Sequence, residues 1–275
     1  MELSWFESLI YGIVSGLTEF LPISAEAHRA VFLRLIGAAD HPLLRFMVHL
    51  GTLLALLVTC APILSKLNRE RKLASVKKKR RKRAPDTRSL TDIRFLRISA
   101  MALIVMFILY SSVHDLHERL WILAGFLIVN GILLYVPQFL PGANKDSRAM
   151  SSLDSMLVGL SGGLGVIPGM SRMGLTTSVA LIRGAERRFA LDSALLLSIP
   201  ALGVLVIIDL IAAFSSVGLT FIAFLCCFAA GLGAFMSAFL GMYIMRFLAV
   251  RVGFSGFAYY SWGLSLFSFI LYLMI

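Results

Sequence analysis

Two short stretches hold most of the residues able to do chemistry: SGLTEFLPISAEAHR, residues 15–29, and IPGMSRMGLTT, residues 167–177. The first places Glu19, Glu26, His28 and Arg29 around a Pro22-Ile23-Ser24 break, between apolar flanks. An ionisable side chain in hydrocarbon costs a few kcal/mol or more, so such a cluster marks a functional site. Ser24 suits an N-cap, with Glu26 in the first turn that follows, where negative charge complements the helix dipole. Glu19 lies about one turn before Pro22. In the second stretch Pro168 and Gly169 stop a helix and Ser171 caps the next. The free N–H groups there, with the guanidinium of Arg172, make an anion pocket. A carboxylate pair facing an arginine and two helix N-termini suits a divalent cation bridging to phosphate oxygens. Glu19 and Glu26 are the carboxylates available for it. Several of these residues also have plainer roles: Ser24 and Ser171 as simple caps, Glu26 as a helix-start charge, His28 as a hydrogen-bonded core histidine. Two residues from Glu26, His28 does not share its helical face. Arg29 and Arg34 read as facing the outer headgroups, and Arg183, Arg187 and Arg188 as marking the inner interface.

The surroundings are lipid-soluble. Apolar residues make up 59% of the 275, charged residues 15%, and mean hydropathy is +0.87, well away from an ordinary soluble domain. The longest uncharged run, residues 210–245, exceeds the roughly 20 residues that span a hydrocarbon core as a helix. The N-terminus, Met-Glu-Leu-Ser-Trp, lacks the basic start of a cleavable signal peptide. Cys60, Cys226 and Cys227 lie in apolar segments without metal-ligand spacing and read as packing residues. The net charge of +11 is local: residues 66–97 carry 14 of the 26 basic residues, with 77–83 an unbroken basic run. A nucleic-acid patch has this composition, but between two membrane spans it reads as a cytoplasmic loop, residues 66–94, obeying the positive-inside rule. No nucleic-acid partner is expected.

With that loop inside, six spans satisfy every basic cluster: 42–64, 95–113, 120–140, 191–209, 218–245 and 252–275. The polar knot 114–119 then lies outside, Lys145, Arg148, Arg246 and Arg251 inside, and the C-terminus outside. Residues 1–37 and 151–188 remain. Each has a hydrophobic stretch, a Pro/Gly/Ser break and a second helix, and each must begin and end on one side. That describes a re-entrant hairpin, tolerated where its broken backbone is buried in protein or lines a cavity. At an offset of 147, Ser4, Ser8, Gly12, Gly16, Leu17 and Ser24 recur as Ser151, Ser155, Gly159, Gly163, Leu164 and Ser171, with Glu7 meeting Asp154. Entered from opposite faces, this is an inverted repeat, which places a site where broken helices meet. The four glycines read as close helix packing. The expected fold is an all-α polytopic membrane protein, six transmembrane helices plus two re-entrant helical hairpins, forming one domain over 1–275 with halves of about 1–140 and 141–275.

The two motifs also resemble those of the undecaprenyl-pyrophosphate phosphatase (bacitracin-resistance) family, roughly E-G-x-T-E-F-L-P-V/I-S-S-T-G-H and P-G-x-S-R-S-G-x-T. The resemblance implies a membrane phosphatase that removes one phosphate from a polyprenyl diphosphate, using Mg²⁺ or Ca²⁺. It implies catalytic roles for Glu19, His28 and Arg172, with metal at Glu19 and substrate contacts from Ser24, Gly169, Ser171, Arg172 and Thr176. Localisation would be the cell membrane with an active site open to the outer face, serving lipid-carrier recycling for the cell wall and bacitracin resistance. The partners implied are the lipid diphosphate and the membrane, with a homodimer left open. The chain departs from the motifs at Ser15 for the first glutamate, Ala25 for the second serine, Glu26-Ala27 for Thr-Gly, and Met173 for the serine after Ser-Arg. Glu26 is the residue that could replace the lost carboxylate. These losses leave a second reading, a lipid-phosphate binding protein or flippase without catalysis.

Overall fold

A computed structural model of the chain describes residues 4–76, 83–113, 116, 119–140, 142, 144–215, 220–251 and 254–274. Residues 77–82 of the basic run, four residues of the polar knot and the first two of the last expected span lie outside the described residues, as does the side chain of Arg251. The described elements are helical: α1 Trp5–Glu19, α2 Ala25–Leu35, α3 Pro42–Ser75, α4 Thr87–Met106, α5 Tyr110–Val113, α6 Leu120–Tyr135, α7 Ser152–Gly163, α8 Arg172–Ile182, α9 Arg187–Ser215, α10 Phe221–Arg251 and α11 Ser255–Met274. An isolated bridge between Lys145 and Ala185 is the one β-pairing among the described residues.

Five of these are long and apolar enough to cross a membrane: α3, α6 with its 3-10 extension to Phe139, α9, α10 and α11. The sixth expected span, 95–113, is instead assembled from the end of α4, a 3-10 turn at Phe107–Leu109, and α5. Arg88, Asp92, Arg94 and Arg97 all fall in α4 before Ile98, so that helix is not apolar along its length. Large apolar side chains such as Phe214, Phe221, Ile222 and Met274 point outward. They are what a lipid-facing surface requires and a water-facing one does not.

Local sequence explains where the short helices begin. Ser4 and Ser151 each close a capping box, with Glu7 and Asp154 respectively returning a hydrogen bond to the cap backbone, which satisfies two otherwise orphaned N–H groups at each helix start. Ser24 and Ser171 cap α2 and α8. Glycines then set the packing. Gly12 and Gly16 of α1 face the α10 backbone at Ala230 and Ala234, and Gly159 of α7 faces the α4 backbone at Ser99. A Cβ at any of the three would overlap those backbone atoms, so helix axes approach as closely as small residues permit. The long helix α3 packs on α9 and α10, and α6 on α11.

The basic clusters gather at one end of the bundle. A cleft there is lined by Lys66 of α3, Arg88 and Asp92 of α4, and Arg188 and Asp192 of α9. Arg246 reaches Asp192 at 3.4 Å, and Lys145 donates to the Arg183 carbonyl at 3.2 Å. The seventeen residues between His49 and Lys66 correspond to roughly 25 Å of helix, so the first turns of α3 stand well away from this end.

Candidate active site

The two breaks meet. The first runs from Phe20 to Ser24, whose φ of 62° lies in the left-handed region, a costly conformation for a residue other than glycine. Ser24 accepts from the Ala27 N–H at 3.3 Å and so starts α2. The second break follows the 3-10 turn Leu164–Val166 and turns at Gly169, φ 90°. A side chain there would be strained and would press on the Leu123 carbonyl oxygen at 2.7 Å. Ser171 joins the breaks: its hydroxyl accepts from Gly174 N–H at 3.2 Å and donates to the Leu21 carbonyl at 3.2 Å. Asn130 of α6, fully buried, reinforces the junction. Its amide donates to the Pro22 carbonyl at 3.2 Å and to Ser261 Oγ at 3.1 Å, and its oxygen accepts the Ser171 N–H at 2.9 Å.

Beside this junction lies a cavity of about 60 Å³, whose polar lining includes Glu19, Glu26, Arg29, Arg45, His49 and Arg172. That is several times the space one water needs. Glu19 ends α1 and is clamped from two sides, Oε1 by an Arg172 Nη and Oε2 by Arg29 Nη1 at 3.5 Å. Arg29 also pairs with Glu26 three residues earlier on α2. The Glu19, Arg29 and Arg172 side chains are 7%, 7% and 9% exposed. A second network backs the opposite wall. Asp209 of α9 holds His49 Nδ1 through Oδ2 at 2.6 Å and Arg45 Nε through Oδ1 at 3.2 Å, and Arg45 also reaches Asp40 at 2.5 Å. Arg172 Nε and His49 Nε2 are buried and have no hydrogen-bond partner among the described residues. An unpaired buried polar group costs about 1–3 kcal/mol, and both belong to side chains that line the cavity. The lining itself carries three guanidinium groups and two carboxylates, with Arg45 balanced from behind by Asp209 and Asp40; the guanidinium N–H groups are the donors an entering phosphate would meet.

Of the residues singled out from sequence, Glu19, Glu26, Ser171 and Arg172 line this cavity. His28 does not line it. Its Nδ1–H donates to the Ser24 carbonyl at 2.8 Å, Nε2 meets the Tyr260 hydroxyl at 2.8 Å, and the ring stacks on Tyr260. The helical rotation of about 200° from Glu26 turns it toward α11. Ser24 serves as a cap, and Gly169 makes the turn against α6. Thr176 faces α7, its hydroxyl 2.5 Å from where a Gly162 Cβ would stand. Arg29 corrects the sequence reading. Expected at the outer headgroups, it is 6% exposed, drawn inward because Glu19 and Glu26 both need a cation. Arg34 is exposed as expected. The sequence reading passed over Arg45, His49, Asp209 and Asn130, each a polar residue set in an apolar stretch.

The donor set also bears on the expected cation. Among the described residues no three His, Cys, Asp or Glu side chains gather as a metal cage. Glu19 and Glu26 share the cavity but each is paired with arginine. They suit a cation that arrives with phosphate oxygens completing its shell, the mode Mg²⁺ commonly uses.

Residues 8–267 match the family described as bacitracin resistance protein BacA. The chain belongs to that family. A protein of Carboxydothermus hydrogenoformans named undecaprenyl-diphosphatase is 34% identical over 74% of this chain and 73% of its own length. One of Halothermothrix orenii with the same name is 29% identical over 94% of each chain. Against the family's motifs, the departures fall in different places. Ser15 is fully buried and donates to the Tyr11 carbonyl at 2.7 Å, within its own helix. Ala25 lines the cavity, so the hydroxyl missing from the second-serine position is missing from the site itself.

Proposed function

We propose that this chain is an integral-membrane phosphatase that hydrolyses a polyprenyl diphosphate of the undecaprenyl type to the monophosphate and inorganic phosphate. The observation carrying this reading is the buried Arg172, which lines a cavity with two further arginines and is held by Glu19 through one nitrogen, while its Nε–H has no partner among the described residues. The curated relatives named undecaprenyl-diphosphatase support it.

In this reading the diphosphate enters head first. Arg172 and Arg29 bind its oxygens, and the N-terminus of α8 adds free N–H groups and dipole. Glu19 holds the two guanidinium groups in position, so that they meet the charge that builds on the terminal phosphoryl oxygens during attack. A Mg²⁺ or Ca²⁺ held by Glu19 and Glu26 would neutralise phosphate charge at the same place. Ser171 and Asn130 act by fixing the two breaks against each other.

The proposed architecture has six crossings and two re-entrant hairpins as an inverted repeat. The equivalent caps at Ser4/Ser151 and Ser24/Ser171 support this, as does reciprocal packing: the first helix of each half lies against a helix of the other, α1 on α10 and α7 on α4. The site would open to the outer face of the cell membrane, since the cavity uses the first turns of α3 and the basic clusters lie at its far end. Purified protein given undecaprenyl or farnesyl diphosphate, with and without Mg²⁺ or Ca²⁺, should release phosphate. Tight binding without release under every condition would refute the phosphatase and favour a binding protein.

A further inference from the structure

We propose that His49 is the general base of the phosphoryl-transfer step, with Asp209 as its positioning residue. The inference rests on the phosphatase reading above and names the group that moves the proton. Three facts about the cavity lead to it. Ala25 leaves its wall without a nucleophilic hydroxyl at that position. Glu19 and Glu26 are tied to arginines, which hold them as carboxylates. His28, the histidine in the motif, is turned to Tyr260 and bonded through both ring nitrogens.

His49 has the opposite character. It is 3% exposed and lies in the second turn of α3. The Asp209 carboxylate, 2.6 Å from Nδ1, can only accept, so Nδ1 carries the hydrogen and the proton-accepting lone pair of the neutral form lies at Nε2. Nε2 is buried, has no partner among the described residues, and belongs to a side chain that lines the cavity with Arg172 and Glu19. Buried polar atoms are hydrogen-bonded as a rule. A basic nitrogen left unpaired on a side chain that lines a cavity with room for water is placed to receive a proton.

The step balances without any further reactant. A water in the cavity gives its proton to His49 Nε2 as its oxygen bonds to the terminal phosphorus. The bond from that phosphorus to the bridging oxygen breaks, and its electron pair leaves on the lipid monophosphate. The imidazolium that forms is stabilised by Asp209, whose other oxygen is occupied by Arg45. The charged and titratable groups that share the cavity with His49 or pair with it are Asp209 on α9, Arg45 on α3, Tyr110 on α5, Glu19 on α1, Glu26 and Arg29 on α2, and Arg172 on α8.

The test is the pH dependence of phosphate release from undecaprenyl diphosphate by the full chain in detergent, with KM measured at each pH. Wild type should show a rate that rises with pH as His49 loses its proton. His49→Gln should lose that limb and about 10²- to 10⁴-fold in kcat, with KM nearly unchanged. His28→Gln should keep the limb. Asp209→Asn should lower kcat with KM nearly unchanged, because the ring loses the acceptor that holds its Nδ1–H. Imidazole added to His49→Ala should restore part of the rate, a readout independent of any general loss of fold. An active wild type whose His49→Gln variant keeps both rate and limb overturns the role of His49 alone. Acid-labile, base-stable phosphate trapped on His49 also overturns it, in favour of direct attack by the ring. A wild type that releases no phosphate overturns the phosphatase reading and this role with it.

Discussion

Replacing Asn130 with leucine tests whether the two breaks form one structural unit. The side chain is fully buried and serves three groups: the Ser171 N–H at 2.9 Å, the Pro22 carbonyl at 3.2 Å and Ser261 Oγ at 3.1 Å. Leucine has similar volume but no polar atom. The Ser261 hydroxyl can turn to a carbonyl of its own helix, so its loss is small. The two backbone groups belong to non-helical segments and have nowhere else to turn. Each left unsatisfied costs about 1–3 kcal/mol, for a total of about 2–6 kcal/mol. Because those segments carry Glu19 and Arg172 at their ends, turnover should fall at least about tenfold, the effect of only about 1.4 kcal/mol in the transition state. Unfolding in mixed micelles and phosphate release should be measured together, with Ile132→Leu, an exposed position on the same helix, as the control. A variant within about 0.5 kcal/mol of wild type and fully active would refute the junction, since it would place Asn130 among ordinary surface-like substitutions.

Other outcomes follow from the same geometry. Gly12→Ala and Gly159→Ala should each destabilise the protein, whereas Gly125→Ala, with no atom within 4 Å of its Cβ, should be neutral; equal effects at all three would remove the close-packing explanation. Glu26→Gln should abolish the stimulation of turnover by Mg²⁺ or Ca²⁺ if Glu26 supplies a cation ligand. A loss of only about 0.3–1 kcal/mol of stability with unchanged turnover would make it a helix-start charge. A cysteine at Arg69, whose side chain is 72% exposed, should react with an impermeant thiol reagent only after permeabilisation, and labelling from outside would reverse the orientation.

The elements that sequence made visible are those specified locally. Pro22, Pro168 and Gly169 break helices by their own backbone chemistry, and Ser24 and Ser171 follow at the positions where caps are needed. The S-x-x-E and S-x-x-D boxes at Ser4 and Ser151 announce two helix starts at a fixed offset. Glu19 has no basic residue within a helical turn, and its partners Arg172 and Arg29 come from α8 and α2. Arg29 was misplaced because a headgroup position explains an isolated arginine equally well. Its i,i+3 spacing from Glu26 was the available clue. Arg45, His49 and Asp209 were absorbed into hydrophobic spans by averaging, although each is an ionisable group within an apolar helix. Asn130 was hidden in the same way. What joins these residues is contact between segments 41 to 164 positions apart, which no local pattern encodes.

The most direct test of the proposed site is phosphate release from undecaprenyl diphosphate by Arg172→Lys beside wild type. Lysine keeps the positive charge and can still pair with Glu19, but it cannot present the second, unpartnered N–H to the phosphate. Loss of one such donor is expected to lower kcat by about 10²- to 10³-fold, in a protein that remains folded because Glu19 retains Arg29. An Arg172→Lys enzyme turning over at half the wild-type rate or more would contradict the assignment of this cavity as the place where the phosphate is bound and released.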